Sequence, residues 1–210
     1  MNKMFFMLTY LIIILTSGCH KGDEPTGPSS SSSSNLNSIS GTIPNYNLGA
    51  SKTIRLTYWG NAYSDYPNFG SGIVDADGNF NIASLSAVPD NLLEPLSDIP
   101  TGVNVSDPSA KIKGGCTLRI YTASATKPTH TVDKGIFHSP SQAGDYYINF
   151  IYSDRACSVQ GTEISSNYSY NFEMKKGWNK LIQLVKQTNP LIMEYKNEEP
   201  VGGYWYLYEM

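Results

Sequence analysis

The chain has 210 residues, of which 15 are lysine or arginine and 18 are aspartate or glutamate, so its formal net charge is −3. The basic residues form no cluster of the kind that binds nucleic acid, and we predict no nucleic-acid partner. Only 16% of the residues are charged, whereas tyrosine occurs 15 times. This composition favours a β-rich domain outside the cytoplasm over a cytosolic enzyme.

The first 19 residues have the pattern of an export signal. Lys3 precedes an apolar run over residues 4–15, which has the length of a secretory signal core and is too short to span a bilayer. Residues 15–19 read Leu-Thr-Ser-Gly-Cys and resemble a bacterial lipobox, although Thr16 stands where the common pattern has leucine. The resemblance implies cleavage after residue 18 and lipidation of Cys19.

Residues 19–35 predict a flexible tether. They contain a short charged stretch and then mostly serine with proline and glycine, which cannot bury enough apolar surface to offset the entropy of ordering. Such a tether reaches about 20–25 Å on average. Asp23 and Glu24, close behind Cys19, resemble the export signal of Bacteroidota surface lipoproteins. We therefore expect an outer-membrane lipoprotein at the cell surface, held by its lipid anchor; the alternative is an ordinary cleaved signal with an incidental cysteine.

Residues 36–210 predict a single β domain. Short runs of alternating hydrophobicity recur there, each bounded by glycine, proline, asparagine or aspartate. The predicted strands cover residues 38–43, 53–59, 72–75, 79–82, 117–123, 145–153, 158–163, 168–175, 180–185, 191–195 and 204–208. This number and spacing of strands predict an all-β fold, an antiparallel sandwich or barrel.

Residues 84–113 interrupt this pattern. Four prolines in the segment exclude a long helix or a central strand. We expect an ordered connection with small turns, in which Leu92, Leu93 and Leu96 pack against the core.

Two turns stand out in the sequence. Asp77-Gly78 predicts a hairpin turn between two short strands. Residues 175–179 predict a second hairpin turn, in which Gly177 accepts a positive φ and Trp178 is a large apolar anchor. We also expect Ile148, Phe150 and Tyr152, which share one strand face, to pack with Tyr170 and Phe172.

Parts of the chain resemble known families. Residues 39–43 and 72–82 resemble the start of transthyretin-like and carboxypeptidase-regulatory-like sandwiches. Residues 151–162 and 170–179 are similar to stretches of Bacteroidota surface lipoproteins to which no reaction is assigned. The resemblance implies a transthyretin- or immunoglobulin-like antiparallel β-sandwich with extra strands and a long proline-rich connection, and it supplies no catalytic residues.

Cys116 and Cys157 are the cysteines that remain after Cys19. In an oxidising compartment two remaining cysteines favour a disulfide. Both lie in strand-like runs, so two buried free thiols are the competing interpretation.

The candidate metal ligands form no diagnostic pattern. Asp75, Asp77 and Asn79 place oxygen ligands at alternate positions, as a calcium loop does, but the downstream glutamate of such a loop is missing, and a turn is favoured. His130 and His138 flank an aspartate in a segment rich in turn-forming residues, without a third ligand at a diagnostic spacing. We interpret them as loop histidines and predict no metal and no cofactor.

One loop has the composition of a binding surface. Flat aromatic rings stack on sugar faces, and amides or carboxylates bind hydroxyl groups. The residues of this predicted surface are Trp59, Asn61, Tyr63, Asp65 and Tyr66. The alternative is that these side chains pack over the end of a strand.

The sequence contains no nucleophile elbow and no cysteine–histidine pair that suggests thiol catalysis. We predict a non-catalytic surface binding module with a glycan or protein ligand. The alternatives are a structural accessory subunit of an outer-membrane assembly and a hydrolase whose site is built from loops.

Overall fold

The computed structural model describes residues 35–58, 67–122, 125 and 127–210. The described chain is all-β, which confirms the predicted fold class. Its strands are β1 (Ile39–Thr42), β2 (Lys52–Tyr58), β3 (Asn68–Val74), β4 (Asn79–Ile82), β5 (Glu94–Pro95), β6 (Val103–Val105), β7 (Lys111–Tyr121), β8 (His130–Ile136), β9 (Tyr146–Ser153), β10 (Cys157–Thr162), β11 (Ser169–Met174), β12 (Gly177–Thr188), β13 (Leu191–Lys196) and β14 (Tyr204–Glu209). A short 3-10 turn covers Asp90–Leu92.

Within the described residues the strands form one continuous sheet. Its order is β1-β4-β3-β2-β7-β8-β9-β12-β13-β11-β10-β6, with β14 paired to β8 and β5 paired to β7. The first half of β7 also pairs with β9, and β8 enters between these two strands farther along β7. The pairs are antiparallel apart from β11 and β13, which run parallel.

The β9–β12 pair forms a wall with an apolar cluster on each side. The two strands pair from Gly177↔Ser153 to Leu184↔Tyr146, and successive side chains of each strand point to opposite faces. Ile148 and Ile182 enter the cluster on one face. Ile151 and Leu181 enter the cluster on the other.

The first core cluster is closed by β1–β4, β7, β8 and β14. Leu118 of β7 is completely buried in it. Aromatic rings fill the remaining space: Phe69 lies 5.3 Å from Trp178, and Phe80 lies 5.1 Å from Trp205, between ring centroids. The Trp178 Nε1–H donates to the Ser86 carbonyl at 2.8 Å, so this large anchor is both packed and hydrogen-bonded.

The second core cluster lies on the opposite face of the wall. It is made by residues of β6, β10, β11 and β13 together with the end of the proline-rich connection. Leu96 is buried here as expected, while Leu92 and Leu93 pack against the first cluster. The prediction that Ile148, Phe150 and Tyr152 pack with Tyr170 and Phe172 is wrong, because the wall separates the two sets.

Several segments differ from the predicted strands; β3 begins at Asn68 and β12 covers Gly177–Thr188, both longer than predicted. The connection contributes the short strands β5 and β6, and β7 begins at Lys111, ahead of the predicted start at residue 117. His130–Ile136 forms β8, inside the sheet, where turn-forming neighbours had predicted a loop. The apolar signal of β8 is weak because Val132 is its one non-glycine side chain buried in the core.

The two predicted turns differ in outcome. Gly78, at φ +81°, lies in the turn of the β3–β4 hairpin, as predicted. Gly177 has φ +104° and Trp178 is buried, but β13 lies between β11 and β12, so the turn joins two diverging strands and is not a hairpin. The Asn179 side chain holds this turn by accepting from the Lys175 N–H and donating to the Lys175 and Gly177 carbonyls.

No helix in the described part of the chain has the length and apolar character needed to cross a bilayer.

Candidate ligand-binding cavity

The second core cluster encloses a cavity of about 580 Å³ between the β9–β12 wall, the β10–β11 pair and residues 94–105. Small-molecule sites in proteins are typically clefts of about 300–1,000 Å³ with mainly apolar walls. The walls here are mainly aliphatic, and they include Val103, Val105, Ile151, Val159, Met174 and Leu181.

The local sequence explains why this face of the wall stays open. The strands opposite are short, since β5 has two residues and β6 has three. Pro95 and Pro100 line the cavity and prevent the intervening residues from forming a longer regular strand. Gly114 lines it without a side chain, and a Cβ atom there would meet no atom within 4 Å.

Two buried polar atoms in the cavity walls have no hydrogen-bond partner within the described structure: the Asn149 Nδ2 and the Tyr195 hydroxyl. A buried polar group without a partner costs about 1–3 kcal/mol, so native structures seldom retain one without a reason. Both groups lie where a bound molecule could supply the missing acceptor.

The Tyr195 ring is held in place by its neighbours. It is 1% exposed and stacks on Tyr170 with centroids 4.9 Å apart and an interplanar angle of 9°. The Tyr170 hydroxyl donates to Glu163 Oε2 at 3.3 Å, and Ser165 and Ser166 donate to the same buried carboxylate. Burial, followed by the nearby Tyr147 and Tyr170, raises the pKa of Tyr195, so its hydroxyl stays protonated at neutral pH.

The entrance to the cavity carries acidic side chains. Glu94 and Asp98 line it from the connection, and both are exposed. Glu94 Oε1 lies 2.9 Å from Lys113 Nζ, whose side chain is 4% exposed. The same ammonium lies 3.3 Å from the centroid of the Tyr58 ring, a cation–π contact. The Lys113 ammonium is therefore already bound by the Glu94 carboxylate and by the Tyr58 ring.

The predicted aromatic surface lies outside the described residues. Trp59, Asn61, Tyr63, Asp65 and Tyr66 are not described, and neither is the predicted lipidation site Cys19. A glycan or protein surface on that loop stays a prediction.

The predicted disulfide is wrong. Cys116 and Cys157 are free, buried thiols in different core clusters, on opposite sides of the β9–β12 wall. Their sulfurs contact the Gly114 and Asp107 carbonyls instead. Burial raises the pKa of the Cys116 thiol to about 12, which makes it unreactive at neutral pH. The competing interpretation of two buried thiols describes the structure.

The Asp75 carboxylate organises the β3–β4 turn. Its Oδ1 accepts the N–H groups of Asp77 and Asn79 at 2.9 and 2.8 Å, and its Oδ2 accepts from Asn79 Nδ2 at 3.0 Å. These hydrogen bonds, with the Asn79 side chain foremost, lower the pKa of Asp75. In the described ranges no group of three or more histidine, cysteine, aspartate or glutamate residues could hold a metal ion.

The sequence did not indicate the pairing of His138 with Asp145. The buried Asp145 carboxylate contacts His138 Nδ1 and accepts from the backbone N–H groups of His138 and Gln142 and from Ser141 Oγ. Burial opposes ionisation, but these hydrogen bonds lower the pKa of Asp145 below its usual value. Ser141 contacts the carboxylate, whereas the nucleophile of a Ser-His-Asp triad contacts the imidazole. The second predicted loop histidine, His130, is a strand residue of β8.

Comparison of the chain with protein-family models, with curated proteins and with solved structures found no match. The resemblance to transthyretin-like sandwiches and to Bacteroidota lipoproteins stays a prediction from sequence. The cavity, with its two unpartnered buried polar groups, is the feature of the described chain that best supports a function.

Proposed function

We propose that the protein is a non-catalytic binding module of the cell envelope and that its cavity holds a small, mainly apolar ligand. The observation that carries this proposal is the cavity of about 580 Å³ in the second core cluster. A ligand that removes these aliphatic walls from water gains about 25 cal/mol for each Å² of apolar surface buried. A volume of this size accommodates enough surface for useful affinity.

The walls favour an apolar ligand over a glycan at this site. Each sugar hydroxyl needs a hydrogen-bond partner when it is buried. Among the described wall residues, the buried polar side-chain atoms without a hydrogen-bond partner are those of Asn149 and Tyr195. A glycan or protein ligand on the loop with Trp59, Tyr63 and Tyr66 is a separate prediction.

The distribution of titratable groups favours binding over hydrolysis. Glu94 and Asp98 stand at the entrance, and Glu94 pairs with Lys113. The His138–Asp145 pair does not line the cavity. A hydrolase needs an acid, a base or a nucleophile within reach of the bound molecule. Because Glu94 is engaged by Lys113 and the His138–Asp145 pair lies elsewhere, these groups favour a binding role for the cavity.

The predicted lipid anchor would keep the cavity close to a membrane, which is a source of apolar molecules. If Cys19 is lipidated, the tether holds the domain about 20–25 Å from the membrane surface. The tether joins the domain near the wall, because the Leu36 N–H donates to the Trp178 carbonyl at 3.0 Å. We propose an outer-membrane location on this sequence pattern.

Fluorescence titration tests the proposal. The processed chain of residues 19–210, with Cys19→Ser so that no acyl chain competes, is titrated with the neutral apolar dye N-phenyl-1-naphthylamine. We expect saturable, blue-shifted emission at one dye per chain. Val105→Trp, which places a large ring at the cavity wall, should weaken dye binding at least tenfold. Val201→Trp makes the same change at a residue that is 96% exposed and should leave binding unchanged.

Two results would contradict the proposal. One is the absence of saturable binding to the folded chain. The other is equal dye affinity in the Val105→Trp and Val201→Trp variants, which would place the dye elsewhere.

A further inference from the structure

We infer that the ligand of the cavity is an uncharged amphiphile, an apolar chain or ring system carrying a carbonyl-type acceptor such as an ester or amide, and that Tyr195 and Asn149 bind this acceptor. The inference rests on the proposed function and adds the chemical class of the ligand. It depends on two observations, which are the unpartnered polar groups of the walls and the sign of the charges around them.

Tyr195 supplies a fixed donor. Its ring is stacked on Tyr170, which is itself anchored to the buried Glu163 carboxylate. Because the ring is held and almost fully buried, its hydroxyl cannot turn to water. A neutral tyrosine hydroxyl donates one hydrogen bond, and a carbonyl oxygen is a suitable acceptor.

Asn149 supplies a second donor on the same face of the wall. It lies two residues before Ile151 on β9, so both side chains point toward the second cluster. Tyr147 and Tyr195 both lie opposite Gln183, one on each side of β12. The Cα atoms of Asn149 and Tyr195 are therefore about 12 Å apart by strand spacing. One carbonyl group, or two neighbouring ones, lying between the two residues could accept from the long tyrosine side chain and from the shorter asparagine side chain.

The charges near the cavity disfavour an anionic head group. Among the described residues that line it, the charged ones are Glu94 and Asp98, both acidic. The ammonium of Lys113, which pairs with Glu94, is already held by that carboxylate and by the Tyr58 ring. A buried carboxylate without a cation partner is costly, whereas an ester or amide loses little on leaving water if its carbonyl is hydrogen-bonded.

A competition experiment with three ligands of equal chain length tests this ligand class. The processed chain with Cys19→Ser is loaded with N-phenyl-1-naphthylamine at pH 7.5, and the dye is displaced by methyl dodecanoate, dodecanoic acid or dodecane. We expect the ester to displace the dye at about tenfold lower concentration than the ionised acid or the alkane. Tyr195→Phe and Asn149→Leu should each remove most of the preference for the ester over dodecane. Tyr204→Phe, on the exposed face of β14, should keep it.

The outcomes separate the two proposals. If the dye does not bind, the proposed function fails. If the dye binds but the acid competes as well as the ester, or Tyr195→Phe keeps the full preference for the ester, the ligand class is overturned and apolar binding stands. Should Tyr195→Phe fail to fold, Asn149→Leu gives the same decision, because it removes the other donor at a half-buried residue.

Discussion

The two faces of the β9–β12 wall carry similar apolar side chains, yet the described residues of the first face pack around aromatic rings, whereas those of the second line a cavity. Trp178 and Ile182 on the first face share a cluster with residues of longer strands, and the Trp178 ring packs on Phe69. Leu181 on the second face lines the cavity together with residues of the short strands β5 and β6, with prolines and with glycines. An apolar strand face therefore specifies burial, whereas the elements that pack opposite it decide whether the space between them is filled.

Matched leucine truncations give the largest expected effect. Leu118→Ala removes a completely buried side chain from the first cluster and should lower the free energy of unfolding by about 3–5 kcal/mol. Leu181→Ala removes a side chain that already borders a cavity and so loses fewer packing contacts, and we expect a smaller loss of about 2–3 kcal/mol. Urea denaturation of both variants measures the difference. Equal losses would mean that the second cluster is packed as tightly as the first.

Removing the carboxylate at the cavity entrance should have a smaller effect. Glu94→Gln leaves the buried Lys113 ammonium without its ion-pair partner. Because the Glu94 side chain is 54% exposed and screened by water, we expect a loss of about 1 kcal/mol. Thermal denaturation measures it, with Asp98→Asn as the control at the same entrance. A loss in the control as large as in Glu94→Gln would contradict the role of the ion pair.

Acid should destabilise the loop that contains His138 and Asp145, which lies outside both core clusters. The folded-state pKa of Asp145 is lowered, although burial opposes this, because His138 and the backbone hydrogen-bond its carboxylate. A lowered pKa gives stability that is present above the unfolded-state value, near 4, and is lost as the pH falls through the folded-state value. We expect Asp145→Asn to make stability less dependent on pH between about pH 5 and pH 2. An unchanged pH profile in urea denaturation would contradict this account.

A reducing agent should leave the thermal stability of the chain unchanged. Cys116 and Cys157 lie in different clusters as free thiols. The Tm of the Cys19→Ser chain should therefore be the same with and without reductant, and thiol titration after unfolding should find both cysteines. A disulfide would instead contribute about 2–4 kcal/mol, which reductant would remove.

The sequence predicted the strands whose side chains alternate clearly. Asn79–Ile82 has this pattern, and its bounds match the prediction. Alternation failed for β8, where Thr131 and Asp133 face away from the first cluster and Val132 is the one non-glycine side chain that is fully buried. In β9, alternation placed Ile148, Phe150 and Tyr152 on one face, as the structure does, but it gave no sign that Tyr170 and Phe172 pack on the other side of the wall.

The cavity could not be predicted from the sequence, because it is a property of the space between distant segments. Tyr195 and Asn149 belong to strands that the sequence did predict, but their lack of partners depends on the tertiary packing of the second cluster. The proline-rich connection was the available signal, since a long ordered segment of this kind often covers a site. The disulfide prediction was wrong because the sequence does not show that the β9–β12 wall separates Cys116 from Cys157.

Xenon binding to crystals of the Cys19→Ser chain locates the cavity, because xenon enters apolar cavities. We predict xenon density beside Ile151 and Leu181 in the second core cluster and none beside Leu118 in the first. Density in both clusters, or a second cluster filled by side chains that exclude xenon, would contradict the assignment of a ligand cavity to one face of the wall.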